Sequence, residues 1–328
     1  MPPEPDQIVT VRDVRKRYGR TIALDGIDLE IQRGQRYAIL GPNGAGKTTL
    51  IHILCTILQP DTGSALIDGY DVVKQPRHAR RRLGVVFQEP SLDTRLTVGE
   101  NLDFHGRIYG VPPRLRKKRI AELLDLVELG QWKDHVVRGL SKGMQRRLEI
   151  ARALIHDSTL LILDEPTVGL DAQTRARMWE YLKTAQRSRE LTVLVTTHYI
   201  EEVEDCDTVC IIDHGTILVI GEPHELKREH GASIVRIEMN DDNGVEDVCR
   251  SFPDAVPHGR VVHVPLDDPT VVSALLADFG NRSKSFTVST STLEGVFLDM
   301  TGRSIRDSAA GDRERASNAP RPGGEPIR

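Results

Sequence analysis

The stretch Gly41-Pro-Asn-Gly-Ala-Gly-Lys-Thr48 matches the pattern G-x-x-x-x-G-K-[ST] at every fixed position. Such spacing makes a phosphate cradle. Glycines let a tight turn aim successive backbone N–H groups at one anion, and the helix that follows presents the positive end of its dipole to the same place. A lysine placed like Lys47 reaches β- and γ-phosphates, and a hydroxyl placed like that of Thr48 ligates Mg²⁺. The flanks agree, since residues 37–40 predict a short buried strand and residues 48–58 a helix. The chain is therefore expected to bind a nucleoside triphosphate.

Downstream, the apolar run Leu160-Leu-Ile-Leu163 leads straight into Asp164-Glu165. This is the form of a buried parallel strand delivering carboxylates at its C-terminal edge, where one acid holds Mg²⁺ and the other polarises an attacking water. Alone, the pattern also describes a strand end meeting solvent; the phosphate loop upstream favours the first reading. Between the two stands Leu140-Ser-Lys-Gly-Met-Gln145, followed by helical apolar spacing over residues 146–154. Ser141 is placed as an N-cap, which makes a second helix N-terminus able to meet phosphate.

In this order the motifs resemble those of the ATP-binding subunit of ABC transporters, over residues 7 to 225. The resemblance implies an α/β fold: an ABC-type P-loop ATPase with a mainly parallel central sheet, antiparallel N-terminal strands and a helical insertion. It implies ATP and Mg²⁺ as ligands. Gly41, Asn43, Gly44, Gly46, Lys47, Thr48 and Thr49 become Walker A contacts. Tyr18 stands where the family has an aromatic residue that stacks on adenine. Gln88 follows the strand expected at 83–87, as the Q-loop glutamine does. Ser141 and Gly143 occupy the signature motif, and Asp164 and Glu165 match the Walker B aspartate and the catalytic glutamate. Asp171, in Gly169-Leu-Asp171, resembles the D-loop, and His198, after the strand expected at 192–196, resembles the switch histidine. The resemblance thus assigns catalysis to Glu165, His198 and Gln88, and the metal to Thr48, Gln88 and Asp164. Any one of Tyr18, Gln88 or His198 alone would read as packing or surface.

The signature departs from the common Leu-Ser-Gly-Gly-Gln, with Lys142 for the first glycine and Met144 for the glutamine. The serine hydroxyl and the second glycine are kept. A lysine in the first turn mildly opposes the helix dipole but adds positive charge near an anion. Similar Ser-Lys-Gly-Met versions occur in drug and antibiotic exporter ATPases of this family, and with its C-terminal appendage the chain most resembles daunorubicin-resistance-type exporters.

Composition fits a subunit outside the bilayer. The formal net charge is −4 over 328 residues, with a pI near 6.3, which argues against nucleic acid as a general partner. There is no run of about twenty apolar residues that could span a bilayer. The N-terminus lacks a basic region and an apolar core, so no secretory signal is expected. Cys55, Cys206, Cys210 and Cys249 show no paired metal-type spacing and read as reduced thiols. The expected location is peripheral, on the cytoplasmic face of a bacterial cell membrane. The expected partners are an integral membrane permease on a separate chain and a second copy of this chain.

The ATPase domain is expected over 7–230, with the helical insertion at about 91–140, bounded by Pro90 and Gly139. Alternating polarity predicts strands at 8–14 and 22–31 around the segment carrying Tyr18. After Gly231 the pattern restarts as a small α+β domain over 231–302, with strands at 233–239, 260–265 and 285–289 and helices at 245–252, 269–279 and 292–300. Residues 303–328 cannot bury enough apolar surface and are expected to be disordered. Two basic runs, Arg77-His-Ala-Arg-Arg-Arg82 and Arg114-Leu-Arg-Lys-Lys-Arg119, read as solvated helix faces or, through the resemblance, as charge facing the permease or anionic lipid.

The implied mechanism is phosphoryl transfer from ATP to water, coupled to closure of a two-chain dimer. Other readings stay open: a soluble ABC ATPase acting on a non-transport partner, or an ATP-binding regulator with weak hydrolysis. A GTPase would need an Asn-Lys-x-Asp base-reading motif, which is missing from the sequence.

Overall fold

A computed structural model describes residues 6–230, 233–266, 268, 270–289 and 292–301. Its contacts divide into two compact units, Met1–Leu40 with Ala45–Val219, and Gly41–Gly44 with Ile220–Arg328.

The first unit begins with two long strands, β1 (Gln7–Tyr18) and β2 (Thr21–Gln32), paired antiparallel through a turn at Gly19-Arg20. Their inward residues, among them Val9, Val11, Leu24, Ile27 and Ile31, are fully buried. Then come β3 (Arg36–Leu40), α1 (Lys47–Leu54), β4 (Thr62–Ile67), β5 (Tyr70–Asp71), α2 (Pro76–Arg82) and β6 (Leu83–Val86). The helical insertion supplies α3 (Val98–Ile108) and α4 (Pro113–Leu126). Thr97 and Glu100 close a capping box on α3, with Glu100 N–H to Thr97 Oγ1 at 3.1 Å and Thr97 N–H to Glu100 Oε2 at 2.8 Å. The chain returns through α5 (Lys142–Ala153), β7 (Leu160–Asp164), α6 (Ala172–Arg189), β8 (Thr192–Thr197), β9 (Thr208–Asp213) and β10 (Thr216–Gly221).

These strands form an antiparallel sheet in the order β2-β1-β4-β5 and a six-stranded sheet in the order β10-β9-β3-β8-β7-β6. Pairings β6·β7, β7·β8, β3·β8 and β3·β9 are parallel. All residues of β7 and β8 are buried, as expected of central parallel strands covered on both faces. Side chains of both sheets meet α1 in one core, with Leu50, Ile51, Ile53 and Leu54 packed against Ile39, Ile67 and Leu194. The expected architecture of parallel centre, antiparallel N-terminal strands and helical insertion is borne out.

Helix α1 stops earlier than residue 58. Thr56 takes a left-handed φ of 61°, and Ile57 N–H donates back to His52 O at 2.9 Å, which ends the helix by a C-terminal reversal.

The second unit carries α7 (Pro223–His230), β11 (Ile234–Met239), α8 (Asp242–Ser251), β12 (Val256–His258), β13 (Val261–Pro265), α9 (Thr270–Phe279), β14 (Ser283–Ser289) and α10 (Leu293–Thr301). The sheet order β12-β13-β11-β14, antiparallel throughout, is a split βαβ arrangement. Val235, Ile237, Val262 and Val264 from the sheet meet Val248, Leu275 and Phe279 from α8 and α9. Asp241 caps α8 through Gly244 N–H at 2.7 Å, which starts that helix at Asp242, three residues before 245. The strand expected at 260–265 is preceded by an extra short strand, β12. Helix α7, which the sequence grouping at 7–230 assigned to the ATPase, falls within the second unit. The tail at 303–328 lies outside the described residues.

Candidate functional site

The loop of residues 41–46 joins β3 to α1, and only glycine suits its last position. Gly46 adopts φ 106°, and a Cβ there would lie 2.5 Å from Ala23 O and 2.8 Å from Leu24 Cδ2. The following residue, Lys47, is 4% exposed at the start of α1. Its Nζ lies 3.2 Å from Glu165 Oε1. Burial pulls the Lys47 ammonium below the usual lysine range, against the opposing pull of Glu165 and Asp164.

Asp164 ends β7, as the sequence predicts, Glu165 follows it, and each is nearly enclosed. Thr196 Oγ1 donates to Asp164 Oδ1 at 2.5 Å, and Thr48 Oγ1 lies 3.5 Å from the same oxygen. Glu165 takes a left-handed φ of 44°, a conformation on the order of 1–3 kcal/mol uphill for a non-glycine residue. Its N–H is held by both O and Oγ1 of Thr196, each at 3.1 Å. His198 Nδ1 sits 3.4 Å from Glu165 Oε2, at ion-pair distance without hydrogen-bond alignment. Burial pushes the Glu165 carboxyl upward, but His198 and Lys47 outweigh it and hold it below the ordinary glutamate range. Lys47, Thr48, Asp164, Glu165 and His198 thus converge in one place.

A second grouping forms where α5 meets α6. Ser141 caps α5, accepting from Met144 N–H at 3.2 Å, and Asp171 caps α6, accepting from Thr174 N–H at 2.9 Å and from its hydroxyl at 2.7 Å. A Cβ on Gly143 would lie 2.8 Å from Thr174 Cγ2, so the two helix starts touch at Gly143. Tyr18 is half exposed at the end of β1, and Gln88 is exposed just beyond β6.

Sequence reasoning missed the groups that hold these parts in place. Arg146 is buried on α5 and donates to Phe87 O at 2.6 Å and Gln88 O at 3.0 Å, while pairing with buried Glu149 at 3.0 Å. Glu149 Oε1 in turn accepts from Ser91 N–H at 2.8 Å, and Arg152 donates to Ser91 O at 2.5 Å. The backbone around Gln88 is therefore clamped to α5 at both ends. Helical spacing at 146–154 marks the helix, but nothing in it shows which polar residues turn inward. Thr196, the cradle of the two acids, reads in sequence only as part of a strand.

On the insertion, a groove of about 910 Å³ is lined by Thr97, Glu100, Asp103, Arg114, Lys117 and Lys133, among others. Phe104 and Ile108, one turn apart on α3, are 59% and 62% exposed. Among the described residues, no helix is long and apolar enough to cross a membrane.

Comparison with known proteins places this geometry. Residues 24–168 match the family model described as ABC transporter. The chain is 39% identical over 312 residues to the Nod factor export ATP-binding protein I of Ralstonia nicotianae, covering 92% of this chain and 95% of that one. It is 37% identical over 318 residues to the daunorubicin/doxorubicin resistance ATP-binding protein DrrA of Streptomyces peucetius, covering 93% and 95%. Among solved structures, cbiO1 from Clostridium perfringens, part of the cbiONQ ABC transporter complex, superposes with a TM-score of 0.64 at 30% identity, covering 76% of this chain and 96% of that one. The dimeric post-hydrolysis cassette MJ0796, bound to ADP and Pi, gives 0.60 at 28% identity, covering 66% and 98%. This chain belongs to the ABC transporter family, as an ATP-binding subunit. It is an ATPase of that family, with the fold of an ATP-binding cassette.

Proposed function

We propose that this chain drives export of an organic compound through a permease on a separate chain, hydrolysing ATP at sites shared between two copies of itself. The observation that carries the reading is the convergence of Lys47 and His198 on Glu165, at 3.2 and 3.4 Å. Glu165, held as a carboxylate, orients water and takes its proton as the water oxygen attacks the γ-phosphorus. The bond from γ-phosphorus to the bridging oxygen breaks, and ADP and phosphate leave. Lys47 meets the β/γ-phosphates and His198 the γ-phosphate; positioning and electrostatics lower the barrier.

Mg²⁺ fits the residues present. The Thr48 hydroxyl and the Asp164 carboxylate offer hard oxygens to one point, and Gln88 is a third candidate ligand. Among the described residues, no group of three or more His, Cys, Asp or Glu could hold a metal. Mg²⁺ takes one or two carboxylates and otherwise phosphate and water oxygens. It would neutralise phosphate charge.

Ser141 and Gly143 of one copy complete the γ-phosphate cage of the other, while Tyr18 stacks on adenine, and Asn43, Gly44 and Thr49 complete the cradle. The dimeric solved relative supports the two-copy arrangement. The permease is taken to dock on the insertion, where apolar Phe104 and Ile108 lie exposed on α3. Export follows the two relatives whose names state it or drug resistance.

The test is expression with the membrane protein encoded beside it. Copurification, and ATP-dependent uptake of an amphiphilic dye into inverted vesicles, support the reading. Full hydrolysis with no membrane protein captured, and none altering turnover, contradict it in favour of a soluble ATPase.

A further inference from the structure

Glu202 stands outside every motif identified from the sequence, yet three segments of the site end on it. It closes a short 3-10 turn, Ile200–Glu202, and is 5% exposed. The Thr167 hydroxyl donates to Oε1, and the Thr197 hydroxyl donates to Oε2 at 2.7 Å. Arg175 Nε lies 3.7 Å from Oε1. Thr167 and Thr197 are themselves buried.

The positions of these partners give the contact its meaning. Thr167 sits two residues past Glu165, on the path to Gly169 and Asp171. Thr197 immediately precedes His198. Arg175 lies in the first turns of α6, the helix that Asp171 caps, and its N–H donates to Asp171 O at 3.0 Å. A second bridge runs alongside: the Arg175 guanidinium stacks over the Tyr199 ring at 4.6 Å, and Tyr199 N–H donates to Thr197 Oγ1 at 2.9 Å. An ionised carboxylate only accepts hydrogen bonds, so one side chain can take both hydroxyls while the Arg175 guanidinium stands at ion-pair distance. A buried acid is a costly way to fill a core; burial pushes the Glu202 carboxyl above the ordinary glutamate range even with these donors.

We propose that Glu202 is a positioning residue for hydrolysis: it ties the segment following Glu165 to the segment carrying His198, and both to the helix begun by Asp171. The D-loop that faces the second copy and the histidine that faces the γ-phosphate then move together. This rests on the assignment of Glu165 and His198 to the γ-phosphate end of the site.

The test uses the full chain, with kcat, KM and ATP affinity by equilibrium dialysis measured for each variant. Glu202→Ala lowers kcat by roughly tenfold to a hundredfold, the scale of a misplacement of about 1 Å at the reacting centre, while ATP affinity stays within about threefold. Thr167→Val and Thr197→Val each lower kcat, Thr197→Ser restores most of what Thr197→Val loses, and adding either valine to Glu202→Ala lowers it no further. Wild-type kcat in Glu202→Ala overturns the proposal. So does a parallel fall of kcat, ATP affinity and melting temperature, the mark of a merely structural group. If Glu202→Ala does not fold, the threonine series decides: valines at wild-type kcat overturn the proposal. Glu165→Gln is measured alongside. Full turnover in that variant overturns the underlying site assignment, whereas a dead Glu165→Gln beside active Glu202 and threonine variants overturns only the role of Glu202.

Discussion

Lys47 Nζ lies 3.2 Å from Glu165 Oε1, so the cation of the phosphate loop and the proposed base are joined directly across the site. Both are buried, and each perturbs the other: Glu165 counters the downward pull of burial on Lys47, and Lys47 helps hold Glu165 ionised. The phosphate end of the site is thus electrostatically coupled to the end where water is activated. A charge-neutralising change at Lys47 leaves Glu165 facing His198, and one at Glu165 leaves Lys47 facing Asp164.

Lys47→Ala should lower ATP affinity by roughly 10- to 100-fold, the equivalent of one charge-assisted hydrogen bond to phosphate, and turnover with it. Equilibrium dialysis checks this. Unchanged affinity would remove Lys47 from the cradle.

Arg146→Ala removes the guanidinium paired with buried Glu149 and releases Phe87 O and Gln88 O. Breaking a buried pair on one side costs about 3–5 kcal/mol, to be read from urea denaturation midpoints. The double variant Arg146→Met, Glu149→Leu should recover most of that stability, because an apolar pair can replace a buried ion pair at little loss. Its hydrolysis should stay low, since Gln88 is no longer clamped. Full activity in the double variant would show the clamp to be dispensable for the reaction.

At Gly143, an added methyl would meet Thr174 Cγ2 at 2.8 Å, and Thr174 cannot swing freely because its hydroxyl is bonded to Asp171. Gly143→Ala should therefore cost about 1–3 kcal/mol by overpacking and depress turnover. Adding Thr174→Ser, which removes the opposing methyl but keeps the hydroxyl, should restore both. No rescue would place the effect of Gly143→Ala elsewhere.

A pH prediction comes from a ring cluster in which His105 and Tyr109, at the end of α3, meet His156, just past α5, with Tyr109 and His156 stacked at 3.7 Å. Burial, with Arg152 and His156 adding to it, pushes His105 down to about 4. Burial also lowers His156, despite its bond to Leu83 O. The unfolded chain then takes up protons first, so stability falls as pH drops from about 6.5 toward 4. His105→Phe should lose less stability than wild type between pH 7.5 and 5.0, by urea midpoints. An identical loss would contradict the depressed value.

The phosphate loop and the β7 carboxylates were legible because their chemistry is written in contiguous residues: glycines where φ is positive, acids where a buried strand ends. Ser141 was legible too, since a capping side chain acts within three residues, whereas Asp171 entered through the family resemblance and its cap on α6 was not read. Arg146 and Glu202 were not. Their partners lie 59 residues away at Phe87 and 35 away at Thr167, and only the folded sheet brings them together. The end of α1 was misjudged because apolar Ile57 and Leu58 continue the helical pattern, while the left-handed turn at Thr56 has no glycine to announce it. In the second unit, β12 was missed because three residues around Pro257 are too few for a period to show.

The central claim, that Glu165 activates water for ATP hydrolysis, is tested most directly by comparing Mg²⁺-dependent turnover and ATP affinity in Glu165→Gln and wild type. The substitution keeps shape and removes the charge. Turnover should fall by roughly 10²–10⁴, the usual share of a general base, with ATP affinity retained. Wild-type turnover in Glu165→Gln would contradict the account.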